Sequence, residues 1–339
     1  MIDRFPDRFR VVGLAAGTRR LERSAPLVSQ ADDPDYETRL EEMVTHPDTD
    51  LVVVAIPGAR ALPPTLAALR AGKIVCLASK EVLVMAGELV MREAHHRLRP
   101  IDSEHSAIWQ CLWGEHPDSV TRLVITASGG PFWARPDLDL DTVTPEEALK
   151  HPRWAMGPKV TVDSATLMNK GLELIEAHHL FGIGLDRIEV VVHPQSIVHS
   201  LVEFTDGSTK AQLGNPDMRL PIAVALAYPD RLPGVVAPAD PVAVGTLDFH
   251  PLDRTRFPAP ELARKAAQEG GGAPAVLNAV NEEAVAAFLA GRLPFGGIVR
   301  AVESVLADYG GGAETLDEVI AADRWARAYF AEFAGKLRT

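Results

Sequence analysis

The chain has 339 residues, 47% of them hydrophobic and 24% charged, a composition typical of a folded soluble protein and not of a disordered or fibrous one. Its length predicts two or three domains. Because 34 basic residues face 46 acidic ones, the formal net charge is −12, and we expect no nucleic-acid partner. Apolar runs such as Leu51 to Ile56 are too short to span a bilayer, and no signal-peptide core follows Met1. With Cys76 and Cys111 as the only cysteines, these features predict a cytoplasmic protein without a membrane role.

The first third of the chain alternates apolar runs with amphipathic segments. Strands are predicted at Phe9–Ala16, Leu51–Ile56 and Ile74–Ala78, and a helix that starts at Pro63-Pro64 separates the last two. The alternation continues through a further apolar run at Thr121–Ala127. We therefore predict an α/β fold with a doubly wound parallel sheet, and we assign residues 1–101 to this first domain.

The pattern changes in the middle of the chain. Two apolar runs, Arg187–His193 and Ser196–Phe204, are followed by Asp206-Gly207, which is typical of a tight β-hairpin. Residues 102–228 are therefore predicted to form an α+β domain, and the Pro- and Ala-rich residues 229–256 a linker. Residues 257–339 read as Ala-rich amphipathic helices, which predicts a small helical bundle at the end of the chain.

A pair of acids follows a short predicted strand that ends at Ile101. Asp102 and Glu104 could converge on one hard cation at the end of this strand, and Ser103 between them could reach a ligand. The spacing alone favours a solvated edge over a cation site, since two neighbouring acids are usually exposed.

The segment from Thr161 to Phe181 concentrates short hydrogen-bonding side chains before an amphipathic helix. Ser164, Asn169 and Lys170 are the groups that could hold a phosphate there, because helix N-termini offer unpaired N–H groups to an anion. The alternative is an ordinary capping loop without a ligand.

Two Glu-x-x-His pairs, Glu93/His96 and Glu176/His179, have the spacing of di-iron carboxylate bundles. That reading needs two further helices that each present a Glu to the same core, and Glu93 lies within the α/β alternation. We therefore expect these histidines, with their neighbours His95 and His178, to lie on solvated helix faces.

Three other polar stretches lie where a parallel sheet binds ligands or in irregular loops. Lys80-Glu81 follow a predicted strand, and Ser128–Phe132 follow another, although turn chemistry also explains the glycines of the second stretch. Residues His151–Gly157 include Trp154 and Met156, which indicates either a lid over a substrate or a loop anchored by a buried Trp.

Dinucleotide binding has mixed support from the sequence. No G-x-G-x-x-G follows a predicted strand. However, Gly17-Thr18-Arg19-Arg20 follow the first visible strand, and two arginines at that place favour the 2′-phosphate of NADP.

The chain resembles the 1-deoxy-D-xylulose 5-phosphate reductoisomerase family in segments that span nearly its whole length. They are ASKEVLVMAG (78–87), PIDSEHSAIWQ (100–110), ITASGGPF (125–132), HPRWAMGPKVTVDSATLMNKGLELIEA (151–177), HPQSIVHSLVEF (193–204), AQLGNPDMRLPIA (211–223) and LNAVNEEAVAAFL in the C-terminal part. The resemblance implies a V-shaped homodimeric enzyme with a Rossmann-like NADPH domain, a central α+β catalytic domain and a C-terminal helical bundle.

The resemblance also implies roles for individual residues. Mg²⁺ or Mn²⁺ would be bound by Asp102, Glu104 and Glu173, and the catalytic residues would be Lys80, Glu104, His151 and Glu173. The substrate would contact Lys80, Ser103, Glu104, Ser128, His151, Ser164, Asn169, Lys170 and Glu173. The cofactor would contact Gly17, Thr18, Arg19, Ser79, Glu81 and Gly157, and the lid would carry Trp154 and Met156.

The implied reaction rearranges 1-deoxy-D-xylulose 5-phosphate and reduces it with NADPH to 2-C-methyl-D-erythritol 4-phosphate, a step of the non-mevalonate route to isoprenoid precursors. Compared with the family pattern, the sequence starts within the first helix. We therefore expect the first strand and the Gly-rich pyrophosphate turn to be missing, and we expect NADPH to bind poorly. Ser79 also replaces the usual Asn, and Thr18-Arg19 replace a Lys-Asn pair. The alternatives are a cofactor-deficient sugar-phosphate-binding relative and a metal-dependent isomerase or aldolase without the reductive step.

Overall fold

The computed structural model describes residues 2–16, 25–152 and 156–336. They form a mixed α/β structure with a two-stranded, a three-stranded and a five-stranded sheet, followed by a helical C-terminal region. The α/β architecture with C-terminal helices agrees with the prediction. Gly17, Thr18, Arg19 and Trp154, for which the sequence predicts cofactor and lid roles, lie outside the described residues.

The N-terminal third contains five short parallel strands in two groups. Strands β1 (Gly13–Ala16) and β2 (Leu27–Gln30) pair with each other, and β3 (Leu51–Val54), β4 (Ile74–Leu77) and β5 (Leu98–Pro100) form a sheet in that order. The first strand is shorter than the predicted Phe9–Ala16. Apolar β-branched side chains in β3 and β4 favour the extended conformation because they pack well on a pleated surface.

Three helices connect these strands and cover one face of the parallel sheet. They are α1 (Tyr36–Thr45), α2 (Leu62–Arg70) and α3 (Glu81–Ala94). Pro63 and Pro64 lie in the first turn of α2, where a missing N–H costs no hydrogen bond, and Gly72 follows its end with φ +76°. The start of this helix therefore agrees with the prediction.

The second face of the three-stranded sheet is covered from far along the chain. Helix α8 (Arg219–Ala227) brings Ala225 against Cys76 and Ile101, and the three side chains form a small separate core. The Cys76 thiol donates to the Ala225 carbonyl at 3.3 Å, and Arg99 donates to the same oxygen at 2.8 Å. Both Cys76 and Cys111 are buried free thiols.

The central sheet has the strand order β10-β7-β6-β8-β9. Its members are β6 (Val120–Ala127), β7 (Ile188–Val192), β8 (Val198–Phe204), β9 (Thr209–Leu213) and β10 (His250–Pro251). Strands β6 and β7 are parallel and the other neighbours are antiparallel. The hairpin at Asp206-Gly207 is confirmed, since it joins β8 to β9. The interpretation of Thr121–Ala127 as a continuation of the N-terminal alternation is wrong, because this strand is in the central sheet.

The central helices differ from the prediction at one break. Besides α8 they are α4 (Ser103–Cys111), α5 (Pro145–Ala148), α6 (Pro158–Thr166) and α7 (Met168–Phe181). The predicted polar loop before the amphipathic helix is therefore wrong, since Ser164 lies in the last turn of α6. Leu167, with φ +60°, breaks the two helices apart, and Asn169 and Lys170 lie in the first turn of α7.

The end of the chain is helical, as predicted. After the short α9 (Pro241–Val244) come α10 (Ala259–Glu269), α11 (Ala273–Leu289), α12 (Phe295–Ala307) and α13 (Leu316–Lys336). Their buried side chains join the large core that α3 and α7 also enter. In the described part of the chain, no helix has both the length and the apolar character that crossing a membrane requires.

Candidate active site

Three elements bring the candidate residues together. Lys80 follows β4 and Asp102 follows β5, so both lie at the carboxyl ends of parallel strands, where open α/β sheets bind ligands. Helix α7 approaches the same edge with Asn169, Lys170 and Glu173 on its first two turns. Residues from distant parts of the sequence thus meet at one edge of the N-terminal sheet.

Three carboxylates form the centre of the site. One oxygen from each of Asp102, Glu104 and Glu173 lies within 4.8 Å of the others. The Glu173 side chain is 1% exposed, whereas those of Asp102 and Glu104 are 9% and 14% exposed. An oxygen-only donor set of this kind matches the ligand preference of Mg²⁺ and Mn²⁺. The structure therefore brings together all three residues predicted to bind a metal.

Two ammonium groups neutralise these carboxylates. Lys80 Nζ contacts Asp102 Oδ2 and lies 3.1 Å from Glu173 Oε1, and it also donates to Asn169 Oδ1 at 2.8 Å. Lys170 Nζ lies 2.9 Å from Glu104 Oε1 and 2.6 Å from Glu173 Oε2. Buried charges are stable only when they are paired and hydrogen-bonded, and here each ammonium bridges two acids. Lys170 and Asn169, predicted to bind phosphate, thus contact the acidic centre.

The electrostatics of the cluster differ from one acid to the next. Burial, with Glu104 nearby, raises the pKa of Glu173 to about 7 although Lys170 and Lys80 oppose this shift. Burial raises the pKa of Asp102, but the Lys80 ammonium, together with His105, a hydrogen bond with Glu104 and the Lys170 charge, holds the pKa of Asp102 well below its usual range. Burial opposes the charge of Lys80, yet Asp102 and Glu173 raise the pKa of Lys80 well above its ordinary value. Asp102 is therefore ionised at neutral pH, while Glu173 is poised to exchange a proton for a cation.

A second polar group lies beside the cluster. Ser128 Oγ is 3.0 Å from His151 Nε2 and accepts a bond from the Gly130 N–H at 3.3 Å. A Cβ at Gly130 would lie 2.7 Å from the Ser164 carbonyl oxygen, so only glycine allows this loop to approach α6. Burial and the nearby Lys170 charge lower the pKa of His151 to about 4, so its ring is neutral at physiological pH. The structure thus gathers Ser128, His151 and Ser164.

The predicted cofactor residues are only partly described. The Ser79 hydroxyl is buried and donates to the Ile56 carbonyl at 2.6 Å, which fixes the ends of β3 and β4 against each other. Glu81 begins α3, and Gly157 precedes α6. Apart from its own chain neighbours, no described residue has a heavy atom within 4 Å of the place where a Gly157 Cβ would stand. For the lid, the described contact is the Met156 carbonyl, which accepts from Thr161 at 3.5 Å.

Sequence reasoning missed His105 and considered Glu176 only as part of the di-iron pattern that it set aside. His105 is fully buried, its Nε2 lies 2.8 Å from the Glu173 carbonyl oxygen, and its Nδ1 lies 3.3 Å from Glu176 Oε2. Burial lowers the pKa of His105 and raises that of Glu176. The available signal was helical spacing, since His105 is three residues after Asp102 and Glu176 three after Glu173. The contact of His105 with the Glu173 carbonyl ties α4 to α7 and so holds the three acids of the cluster at a fixed separation.

Among the described residues, the four histidines of the two Glu-x-x-His segments and Glu93 do not join Glu176 in a metal-binding cluster. His95 and His96 are exposed, as predicted, and Glu93 pairs with Arg70 at 3.0 Å. His178 and His179 are half-buried, so the prediction of a solvated face is wrong for them. The His179 ring packs so closely on Gly87 that a Cβ there would lie 2.1 Å from it.

A parallel α/β sheet whose carboxyl edge carries buried acids, ammonium groups that bridge them and serine hydroxyls is typical of the active site of an enzyme. A 1-deoxy-D-xylulose 5-phosphate reductoisomerase of Symbiobacterium thermophilum is 50% identical over 360 residues, covering 96% of this chain and 92% of that protein. The chain belongs to the 1-deoxy-D-xylulose 5-phosphate reductoisomerase family.

Other comparisons agree along the chain. Models of this family match residues 35–87, and models of its C-terminal domains match residues 98–181 and 213–329. The reductoisomerase of Thermosynechococcus vestitus is 47% identical over 98% of this chain and 89% of its own length. The reductoisomerase of Zymomonas mobilis, solved in complex with NADPH, is 40% identical with a TM-score of 0.89, covering 98% of this chain and 94% of that one. A reductoisomerase with NADPH, fosmidomycin and magnesium is 37% identical with the same score, over 100% and 95%.

Proposed function

We propose that this chain rearranges 1-deoxy-D-xylulose 5-phosphate and reduces it with NADPH to 2-C-methyl-D-erythritol 4-phosphate, in the non-mevalonate route to isoprenoid precursors. The observation that carries the proposal is the cluster of Asp102, Glu104 and Glu173 at the sheet edge, bridged by Lys80 and Lys170. Such a cluster combines a site for a hard cation with charges that suit a phosphorylated sugar.

Asp102, Glu104 and Glu173 are the residues that would hold Mg²⁺ or Mn²⁺. Their close oxygen atoms and their burial fit a hard divalent ion, and we infer that such an ion replaces part of the charge that the two ammonium groups now supply. When bound, the ion stabilises negative charge that develops on substrate oxygens. His105 and Glu176 keep the acids in place from the protein side.

The substrate would be held at its two ends. Ser128, Ser164, Asn169 and Lys170 would bind the phosphate, and Lys80, Ser103, Glu104 and His151 would contact the sugar backbone. Because the pKa of His151 is about 4, its ring is neutral and can donate or accept one hydrogen bond without adding charge. Lys170 would exchange Glu104 and Glu173 for phosphate oxygens. Phosphate binding away from the reacting carbons then supplies positioning energy.

NADPH would supply the hydride that reduces the rearranged aldehyde. Among the described residues, Glu81 and the open space beside Gly157 would leave room for the nicotinamide ring. The Ser79 hydrogen bond keeps the ends of β3 and β4 in register. We assign Gly17, Thr18 and Arg19 to the cofactor as well, from the family pattern. Trp154 and Met156 would close over the bound ligands.

We further propose that the protein is a cytoplasmic homodimer with no nucleic-acid or membrane partner. We propose an NADPH-binding domain at residues 1–101, a catalytic domain at 102–228, a linker at 229–256 and a C-terminal helical domain at 257–339. The edge strand β9 supports a dimer, because the unpaired N–H and C=O groups of an edge strand can pair with a strand of another chain. Its Leu213 side chain is also 47% exposed.

One assay tests the proposed reaction and its alternatives. Purified protein with 1-deoxy-D-xylulose 5-phosphate and Mn²⁺ should oxidise NADPH, and Glu173→Gln should abolish this, since the variant loses a metal ligand and its charge. Glu93→Gln is the matched control, because it removes a half-exposed Glu that pairs with Arg70 outside the site. Substrate consumption without NADPH oxidation would favour an isomerase or aldolase, and binding without turnover a cofactor-deficient relative. Near-normal turnover by Glu173→Gln would refute the metal assignment.

A further inference from the structure

A buried series of polar contacts connects helix α11, in the C-terminal region, to Glu81, a proposed cofactor contact. Asn281 on α11 donates through Nδ2 to Asp163 Oδ1 at 2.8 Å. The other oxygen, Asp163 Oδ2, lies 2.7 Å from Lys159 Nζ, and this ammonium lies 3.7 Å from Glu81 Oε1. The series therefore connects helices α11, α6 and α3.

The exposure of these groups falls toward the interior. The Lys159 side chain is 27% exposed and that of Glu81 12%, whereas that of Asp163 is 1% exposed and Asn281 is fully buried. Lys159 lies two residues after Gly157, and Glu81 directly follows Lys80. The outer end of the series thus contains Glu81, and its Lys159 lies close in sequence to Gly157; the proposed function assigns cofactor contacts to both Glu81 and Gly157.

Asp163 needs both of its partners. A buried carboxylate is costly unless each oxygen has a hydrogen bond or a counter-ion, and here Asn281 serves one oxygen and Lys159 the other. Without the Asn281 amide, Asp163 would have to turn to satisfy Oδ1, and it would then release or displace the Lys159 ammonium. The position of Lys159 beside Glu81 therefore depends on a side chain of the C-terminal region.

We propose that Asn281 and Asp163 are positioning residues that hold the Lys159 ammonium beside Glu81, and that this arrangement sets the affinity for NADPH. The inference rests on the proposed function, because it takes Glu81 and Gly157 as cofactor contacts. If Asn281 acts in this way, helix α11 contributes to the reductive step. The proposed metal and phosphate sites do not depend on this contribution.

The test measures NADPH binding without substrate, by the change in NADPH fluorescence, and inorganic phosphate binding by calorimetry. Lys159→Met and Asn281→Ala should each weaken NADPH binding about tenfold, the loss expected for one charge-assisted hydrogen bond, and leave phosphate affinity within about twofold. Lys159→Arg should restore NADPH affinity to within about twofold of the original chain.

Asn278→Ala is the matched control. Asn278 is fully buried one turn earlier on α11, but it donates to Glu282 Oε1 at 3.0 Å and not to Asp163. Its loss should lower the unfolding temperature about as much as Asn281→Ala does, while NADPH affinity stays unchanged. If Asn281→Ala does not fold, Lys159→Met and Lys159→Arg decide the question, because Lys159 is partly exposed.

Three outcomes would overturn the inference. They are equal NADPH affinity of Lys159→Met and the original chain, equal effects of Asn281→Ala and Asn278→Ala on NADPH, and an equal loss of phosphate and NADPH affinity. If the original chain binds no NADPH, the proposed function fails and the inference fails with it. If that chain binds NADPH and turns over substrate while Lys159→Met is unchanged, only the inference fails.

Discussion

Lys170 links the acidic centre to the proposed phosphate site, and Lys170→Met should separate their binding. In the structure its ammonium lies 2.9 Å from Glu104 and 2.6 Å from Glu173, with only 8% of the side chain exposed. Unit charges about 4 Å apart interact by about 4 kcal/mol at an effective dielectric constant near 20, and the net value of a charged hydrogen bond is about 1.5–3 kcal/mol. A cation that enters must break this pairing.

We therefore expect Lys170→Met to bind Mn²⁺ roughly 10- to 100-fold more tightly than the original chain at about pH 8, by the net hydrogen-bond value above. Calorimetric titration of Mn²⁺ with and without inorganic phosphate measures both effects. In the original chain phosphate should tighten Mn²⁺ binding, because it draws Lys170 away from the acids, and Mn²⁺ should tighten phosphate binding by the same factor. In Lys170→Met this coupling should vanish and phosphate should bind weakly.

Lys150→Met is the control, since it removes the same charge from an exposed position. It should leave the Mn²⁺ affinity and its coupling to phosphate unchanged. The reasoning would be refuted if phosphate had no effect on Mn²⁺ affinity in the original chain. It would also be refuted if Lys170→Met bound Mn²⁺ more weakly than Lys150→Met.

Three further predictions concern pH and packing. Because the pKa of folded Glu173 is about 7, Mn²⁺ affinity measured by calorimetry should fall about tenfold per pH unit below that value and level off above it, and a flat profile would contradict the assignment. The pKa of His151 is about 4 in the folded chain against 6.5 for a free ring, so its contribution to stability is complete above pH 6.5 and is lost as the pH falls toward 4. In His151→Asn, the free energy of unfolding measured by urea denaturation should therefore fall less steeply over this pH range. An unchanged pH dependence would argue against this role of His151. Gly87→Ala should lower the free energy of unfolding by about 1–3 kcal/mol, because the new Cβ would force α3 away from His179, whereas Gly310→Ala, with open space around it, should not.

The sequence predicts local structure well where periodicity and turn chemistry are strong. The strand before Lys80, the hairpin at Asp206-Gly207 and the C-terminal helices follow from short-range patterns alone. The strand Val120–Ala127 shows the limit of this reasoning, since an apolar run does not reveal which sheet it joins. The break at Leu167 carries no local signal either, because left-handed backbone normally favours glycine.

The candidate site was predictable as a set of residues but not as a set of contacts. Family resemblance singled out Asp102, Glu104 and Glu173, and the structure brings them together. That Lys170 bridges two of these acids depends on the approach of α7 to α4, which no spacing in the sequence shows. The burial of His105 behind the acids likewise depends on tertiary packing.

The covering of the N-terminal sheet by α8 has a consequence for the order in which the protein is made. Cys76 and Arg99 both donate to the carbonyl oxygen of Ala225, which lies 149 and 126 residues later in the chain. During synthesis, one face of β4 and β5 stays uncovered until the ribosome has passed Ala227, long after the strands themselves have emerged. A domain that looks self-contained in the sequence is therefore completed by a helix from the middle of the chain.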